Sequence, residues 1–132
     1  MYLLDTNVII YAFKGVPSVV RQLELHRDDP MTISSVTLME LYYGAYKSQK
    51  VKANLAKVRA IEEAFYIVSP GPEVAETFGD LKADLESRGT PLDDFDLILA
   101  ATALCYNLVL VSSNARHFQR VPGLKLEDWA GV

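Results

Sequence analysis

Acidic residues in this chain stand where apolar segments end or begin. Asp5 closes "MYLLD", Glu40 sits in "VTLMELYYG", and Asp94 and Asp96 lie in "TPLDDFDLILAATA". Carboxylates gathered in one place hold a hard divalent cation well. Mg²⁺ and Mn²⁺ take oxygen ligands, commonly one or two carboxylates, with water and substrate phosphate completing the shell. Without a cation such a group repels itself, and some members stay protonated. Each acid also has a plainer use. Asp5 suits the N-cap of a following helix. Thr37 and Glu40 have the spacing of a capping box. Asp93 suits another N-cap, and Asp94 and Asp96 suit a first helical turn, where the dipole favours negative charge. Ser112 and Asn114, after "LVLV", suit a turn. Whether the acids meet decides between the two uses, and that depends on the elements that carry them.

Short apolar runs alternate with helical patterns along the chain. Tyr2–Leu4 reads as a buried strand and Thr6–Phe13 as a helix ended by Gly15. Val16–His26 is the next predicted helix, with Val20, Leu23 and Leu25 apolar. Met31–Ile33 reads as a strand, and Ser34 and Ser35 are good caps for the helix carrying Glu40. Residues 49–64 read as an amphipathic helix with Val51, Leu55, Val58 and Ile61 on one face. "FYIV" is a third strand, Glu73–Ser87 a long helix, and Pro91 and Asp93 open a helix that Asn107 ends. "LVLV" is a fourth strand, Leu124–Leu126 a candidate edge strand, and Trp129 packs the tail down. Strands this short, apolar on both faces and separated by helices imply an α/β fold. The expectation is a central parallel sheet of about four to five strands with helices on both faces. Ligands bind such sheets beyond the carboxyl ends of the strands, where strand order reverses. Asp5 and Ser112–Asn114 follow strands directly, and Glu40 and Asp96 lie near the starts of helices that could enter from the same edge. Capping takes one oxygen per helix and has no need of so many acids on one rim.

Composition narrows the class. The chain has 132 residues, half of them apolar, which fits one globular domain over 1–132. Its net charge of −4 argues against a protein that coats nucleic acid by charge alone. The single Cys105, in an apolar helical stretch, reads as an inert core residue in a reducing, cytoplasmic setting. The N-terminus lacks the pattern of a signal peptide, and no apolar run is long enough to span a bilayer.

Taken in order, "LLDTNVII", "MELYYG", "PLDDFDLILAATA" and "LVLVSSNARHFQRVPGLKLEDW" resemble the PIN-domain ribonucleases. They look most like the toxins of VapBC-type bacterial and archaeal toxin–antitoxin pairs, over nearly the whole chain. The resemblance implies a metal-dependent endoribonuclease in which Asp5, Glu40 and Asp96 hold Mg²⁺ or Mn²⁺ and Asp94 assists. Water would attack, leaving 5′-phosphate and 3′-hydroxyl ends on transfer, ribosomal or messenger RNA. The fourth family position, often Asp, is Asn114 here, and Ser112 stands where Thr is usual. Thr6 and Asn7, at a helix start, could orient Asp5 or a phosphate. Arg116 could contact a phosphate, as could Lys14 or Lys47, although solvated surface charge is their default. His117 is a tempting general base, but metal-activated water needs none. Tyr42, Tyr43 and Tyr46 could stack bases or serve as core or dimer contacts. The resemblance also implies a cognate antitoxin whose tail fills the acidic cleft with an Arg or Lys. It implies a homodimer as well, with Val8–Phe13 and the Leu38–Tyr43 region as candidate surfaces.

Other classes fit less well. A response-regulator receiver needs an early acid pair and a Lys after a late strand, where this chain has "SSN". A haloacid-dehalogenase-like phosphotransferase needs Asp-x-Asp after the first strand, and Asp5-Thr6-Asn7 does not supply it. The strongest alternative is a catalytically inactive PIN-fold interaction module that binds antitoxin or RNA. Asn114 favours that alternative, and the retained acids oppose it.

Overall fold

Leu3 and Leu4 are neighbours in the first strand, both fully buried, yet they belong to different cores. Successive strand side chains point to opposite faces, so a strand buried on both sides must be covered on both. In the computed structural model, which describes residues 1–130, this layering runs through the whole chain. Five strands form one sheet: β1 (Tyr2–Leu4), β2 (Met31–Ser34), β3 (Tyr66–Val68), β4 (Val109–Val111) and β5 (Lys125–Glu127). Their order is β3-β2-β1-β4-β5, with every pairing parallel. On the Leu4 side lie α1 (Thr6–Phe13), α2 (Pro17–Leu25), α3 (Ser35–Lys47) and α4 (Val51–Ala64), through Val8, Val19, Leu41 and Val58. On the Leu3 side lie α5 (Pro72–Ser87), α6 (Asp94–Tyr106) and α7 (Ala115–Phe118), through Leu85, Leu99 and Phe118. The expected three-layer α/β fold is present. Among the described residues no helix is long and apolar enough to cross a membrane.

The strand order fixes where a ligand can sit. The chain builds outward from β1 to β2 and β3, then crosses back to lay β4 and β5 on the other side. Strand order therefore reverses between β1 and β4, which pair Leu3 with Leu110 and Leu4 with Val111. Asp5 and Ser112 each follow the last pair by one residue, so they emerge side by side at the switch point.

Local chemistry sets the helix ends. Gly15, with φ +71, lets the chain turn after α1, and Pro17 opens α2 at its first position. Ser34 is the last residue of β2 and also caps α3, its hydroxyl accepting from the Val36 amide at 3.1 Å. Asn107 ends α6 in the left-handed region, with φ +54.

The structure departs from the sequence expectations in several places. In α2 it is Val19 that is fully buried, with Leu23 beside it, whereas Val20 and Leu25 are exposed. The i, i+4 pair of Val19 and Leu23 defines the inner face, and Leu25 falls at the open end of a nine-residue helix. Thr37 lies inside α3, buried, so the capping box with Glu40 does not form; Ser34 already holds the cap. Val8 and Ile9 are core residues rather than a docking surface. Cys105 is only half-buried. The single turn of α7 was not expected.

At the amino end of the sheet, Trp129 is buried against Tyr2 and His26. The Trp129 and His26 rings stack 3° from parallel with centroids 5.1 Å apart, and Tyr2 lies 5.4 Å from Trp129. His26 Nδ1 is 2.8 Å from Asp29 Oδ2. His26, read as a surface residue, is thus half-buried in an aromatic cluster that fastens the tail to β1 and the end of α2. Trp129→Ala should destabilise the fold by about 3–5 kcal/mol, read by urea unfolding followed by circular dichroism. A loss within error would show that the tail packs without contributing stability.

Candidate active site

Asp5 is only 6% exposed, and its carboxylate is held from two directions. Oδ1 accepts from the Thr6 amide at 2.6 Å, and Oδ2 accepts from the Ser112 hydroxyl at 2.8 Å. The N-cap use and the clustered-acid use therefore coexist in one side chain. Ser112 is fully buried, and its hydroxyl also accepts from the Asn114 amide at 3.0 Å. Thr6 joins a second acid to the first: its hydroxyl donates to Glu40 Oε1 at 2.5 Å, across from α3. Asp96 enters from α6, where the Asp93 carboxylate caps the helix by accepting from the Asp96 amide at 2.9 Å.

These groups surround a cleft of about 320 Å³ whose walls include Asp5, Thr6, Asn7, Glu40, Asp96 and Asn114. The structure therefore brings together Asp5, Glu40, Asp96, Thr6, Asn7, Asn114 and, behind Asp5, Ser112. Two expected residues lie elsewhere. Asp94 is turned away and binds Lys82 Nζ of α5 at 2.9 Å, outside the cleft. Arg116 is exposed on α7 and does not line the cleft. Four further residues line it: Ile10, Tyr43, Asp93 and Phe95. Asp93 had been read as a cap, which it is. Its place three residues before Asp96 was the available signal. Tyr43 is 65% exposed, with the Lys47 ammonium 5.6 Å from its ring centroid.

Crowding shifts the acids. Burial raises the Asp5 carboxyl above its ordinary range, and the Asp93 charge adds to this, while the Ser112 and Thr6 hydrogen bonds pull it back. Asp96 is pushed up to about 6, first by burial, then by the charges of Asp93 and Asp5, with His117 opposing. Among the described residues no group of three or more Asp, Glu, His or Cys side chains is drawn together closely enough to hold a metal ion as it stands. The donor set still fits a hard cation that keeps much of its water, as Mg²⁺ does when two or so carboxylates hold it. Asp5, Glu40 and Asp96 would hold such an ion, and its charge would relieve the repulsion that adds to burial in raising Asp96.

A carboxyl whose pKa is raised in the folded state binds its proton more tightly there than when unfolded. Stability then falls as pH rises from the ordinary carboxylate range through about 6. In EDTA, Asp96→Asn should raise the melting temperature above the parent's at pH 7.5, and the two should converge towards pH 4. A difference independent of pH would contradict the placement of Asp96 among unpaired acids.

Beside the cleft runs an apolar groove of about 310 Å³ between α1, α3 and α4, lined by Phe13, Leu41, Ala45 and Val58 with Lys14 and Lys57. Ile10 and Glu40 belong to both, so the groove opens into the acidic cleft.

Comparison with known proteins places this arrangement. A family model described as the PIN domain matches residues 2–124. The chain is 39% identical over 129 residues to the tRNA(fMet)-specific endonuclease VapC of Shigella flexneri, covering 98% of each. It is 38% identical to ribonuclease VapC2 of Haemophilus influenzae, covering 97% of each. Among solved structures, VapBC2 from Rickettsia felis, bound to a DNA fragment from their promoter, superposes with a TM-score of 0.90. The identity there is 35%, over 97% of this chain and 98% of that one. With acids gathered at the switch point and likeness running the length of the chain, this protein belongs to the PIN-domain family, among the VapC ribonucleases.

Proposed function

We propose that this chain, as a single PIN domain over 1–132, is a cytoplasmic, Mg²⁺- or Mn²⁺-dependent endoribonuclease toxin neutralised by a cognate antitoxin. The observation that carries the reading is the meeting of Asp5, Glu40 and Asp96 around one cleft at the switch point. Relatives described as ribonucleases and as a tRNA(fMet)-specific endonuclease support RNA as substrate, with transfer RNA the first to test.

The side chains divide the work. Ser112 and the Thr6 amide fix both oxygens of Asp5, so its remaining lone pairs point into the cleft in one orientation. The Thr6 hydroxyl ties Glu40 to the same helix start. Asp96 rides on a capped helix end and is placed by the fold of α6 rather than by a flexible loop. Bound Mg²⁺ or Mn²⁺ supplies Lewis acidity, a water of lowered pKa and charge neutralisation at the scissile phosphate. Without that charge the cleft repels RNA, so the acids alone bind no substrate. Water attacks phosphorus in line and the 3′-oxygen departs, leaving 5′-phosphate and 3′-hydroxyl ends. Tyr43, at the rim beside Glu40 and next to Lys47, offers a ring on which a flanking base can stack.

The antitoxin reading follows from the continuity of the two cavities. A segment that lays apolar residues along the groove of Phe13, Leu41 and Val58 arrives at Glu40 and can extend a cation into the acids. The same reading makes the active form a homodimer, with exposed Met39 and Tyr46 of α3 available to a second copy.

The test is cleavage of transfer RNA by the purified chain with Mg²⁺, Mn²⁺ or EDTA, beside Asp5→Asn and Asp96→Asn variants shown to fold. Metal-dependent cuts reduced by about 100-fold or more in both variants are expected. Cuts that survive both would sink the site. No cuts on any RNA, together with no metal binding, would favour the inactive interaction module that Asn114 suggests. Tyr43→Ala should weaken RNA binding by about 1–3 kcal/mol while leaving metal binding intact. Equal RNA affinity would remove Tyr43 from the substrate path.

A further inference from the structure

We propose that Asp93, and not its neighbour Asp94, is the additional carboxylate that binds the cation on the α6 side of the cleft. This rests on the reading of the cleft as a divalent-cation site. Asp93 is the N-cap of α6, with extended backbone, and Asp94 is its first helical residue, so the two side chains leave the chain in different directions. Asp94 goes outward to Lys82 of α5, at 2.9 Å. Asp93 stays with Asp5, Glu40 and Asp96 on the cleft wall.

Its capping duty does not explain its charge. Asp93 Oδ1 accepts from the Asp96 amide at 2.9 Å, which holds the carboxylate in place at the mouth of the helix. A cap needs an oxygen and no charge; Ser34 performs the same task at α3 with a hydroxyl, and Asn caps as well as Asp. Among the described residues no Lys or Arg pairs with Asp93. Its negative charge therefore stands beside two other carboxylates with no cation from the protein to offset it. Across the cleft Asn114 contributes a neutral amide. A divalent ion, reached directly or through one water, gives the Asp93 charge a partner and makes good the charge that Asn114 lacks.

The experiment is Mn²⁺ binding by the full chain without RNA, followed by electron paramagnetic resonance and calorimetry. Asp93→Asn keeps the cap and should bind Mn²⁺ about 10-fold more weakly or worse, with an unchanged circular dichroism spectrum. Asp94→Asn should bind as the parent does. If Asp93→Asn misfolds, Asp93→Ser keeps a capping oxygen and makes the same measurement. Parent-like Mn²⁺ binding by Asp93→Asn, or equal weakening by Asp94→Asn, would overturn the assignment. Asp5→Asn separates the two readings. If it loses Mn²⁺ while Asp93→Asn does not, only the role of Asp93 falls. If it also binds as the parent does, the cation site itself falls.

Discussion

A carboxylate buried at the end of a central strand has to be solvated by the protein, because water no longer reaches most of it. For Asp5 that solvation comes from the Ser112 hydroxyl and the Thr6 amide, one from each side of the switch point. Both donors depend on the sheet. Ser112 stands opposite Asp5 only because β4 pairs with β1 in a register that ends both strands together. Thr6 presents its amide because α1 begins as soon as β1 stops. The hydrogen bonds only partly offset burial, and the carboxyl remains raised. The unpaired remainder is what makes the position useful to an incoming cation, so the same burial that strains the fold prepares the site.

Helix starts recur throughout the site, and the reason is economy of position. A capping side chain has a fixed place relative to its helix, because its oxygen must reach a particular amide. Asp5 and Asp93 are both caps, and both therefore reach the cleft with little freedom. Thr6, the first residue of α1, ties down Glu40, which lies more than a turn into α3, by donating its hydroxyl to that carboxylate. Rigid first turns, rather than loops, hold the acids. The apolar groove adjoining Glu40 is built on the same α1 and α3, so a partner lodged there meets the acids at a set distance.

Local signals made much of this legible. Tyr2–Leu4 and Thr6–Phe13 have the same bounds in sequence and structure, because an apolar run, a capping Asp and a Gly punctuate them. The parallel sheet followed from strands apolar on both faces, and the meeting of Asp5 with Ser112 followed from the switch-point rule. What escaped was set by rotation and by distant partners. Choosing between Asp93 and Asp94 requires the phase of α6 and the position of Lys82, twelve residues away on α5. The inner face of α2 is defined by only two side chains, too few to outvote Val20 and Leu25. For Tyr43 the sequence left base stacking, core and dimer contact open, and only the finished cleft shows it on the rim. The four residues of α7 are too short to carry a period.

The bond between Ser112 and Asp5 joins residues 107 apart in sequence. During synthesis the first of them leaves the ribosome 107 residues before the second. Until β4 has emerged and paired with β1, Asp5 lacks its buried partner, and Asp96 and its helix are not yet seated against the sheet. A nascent chain is therefore unarmed until that second residue has emerged and β4 has paired. A nuclease built this way cannot close its site on the ribosome's RNA before both halves of its sheet have met.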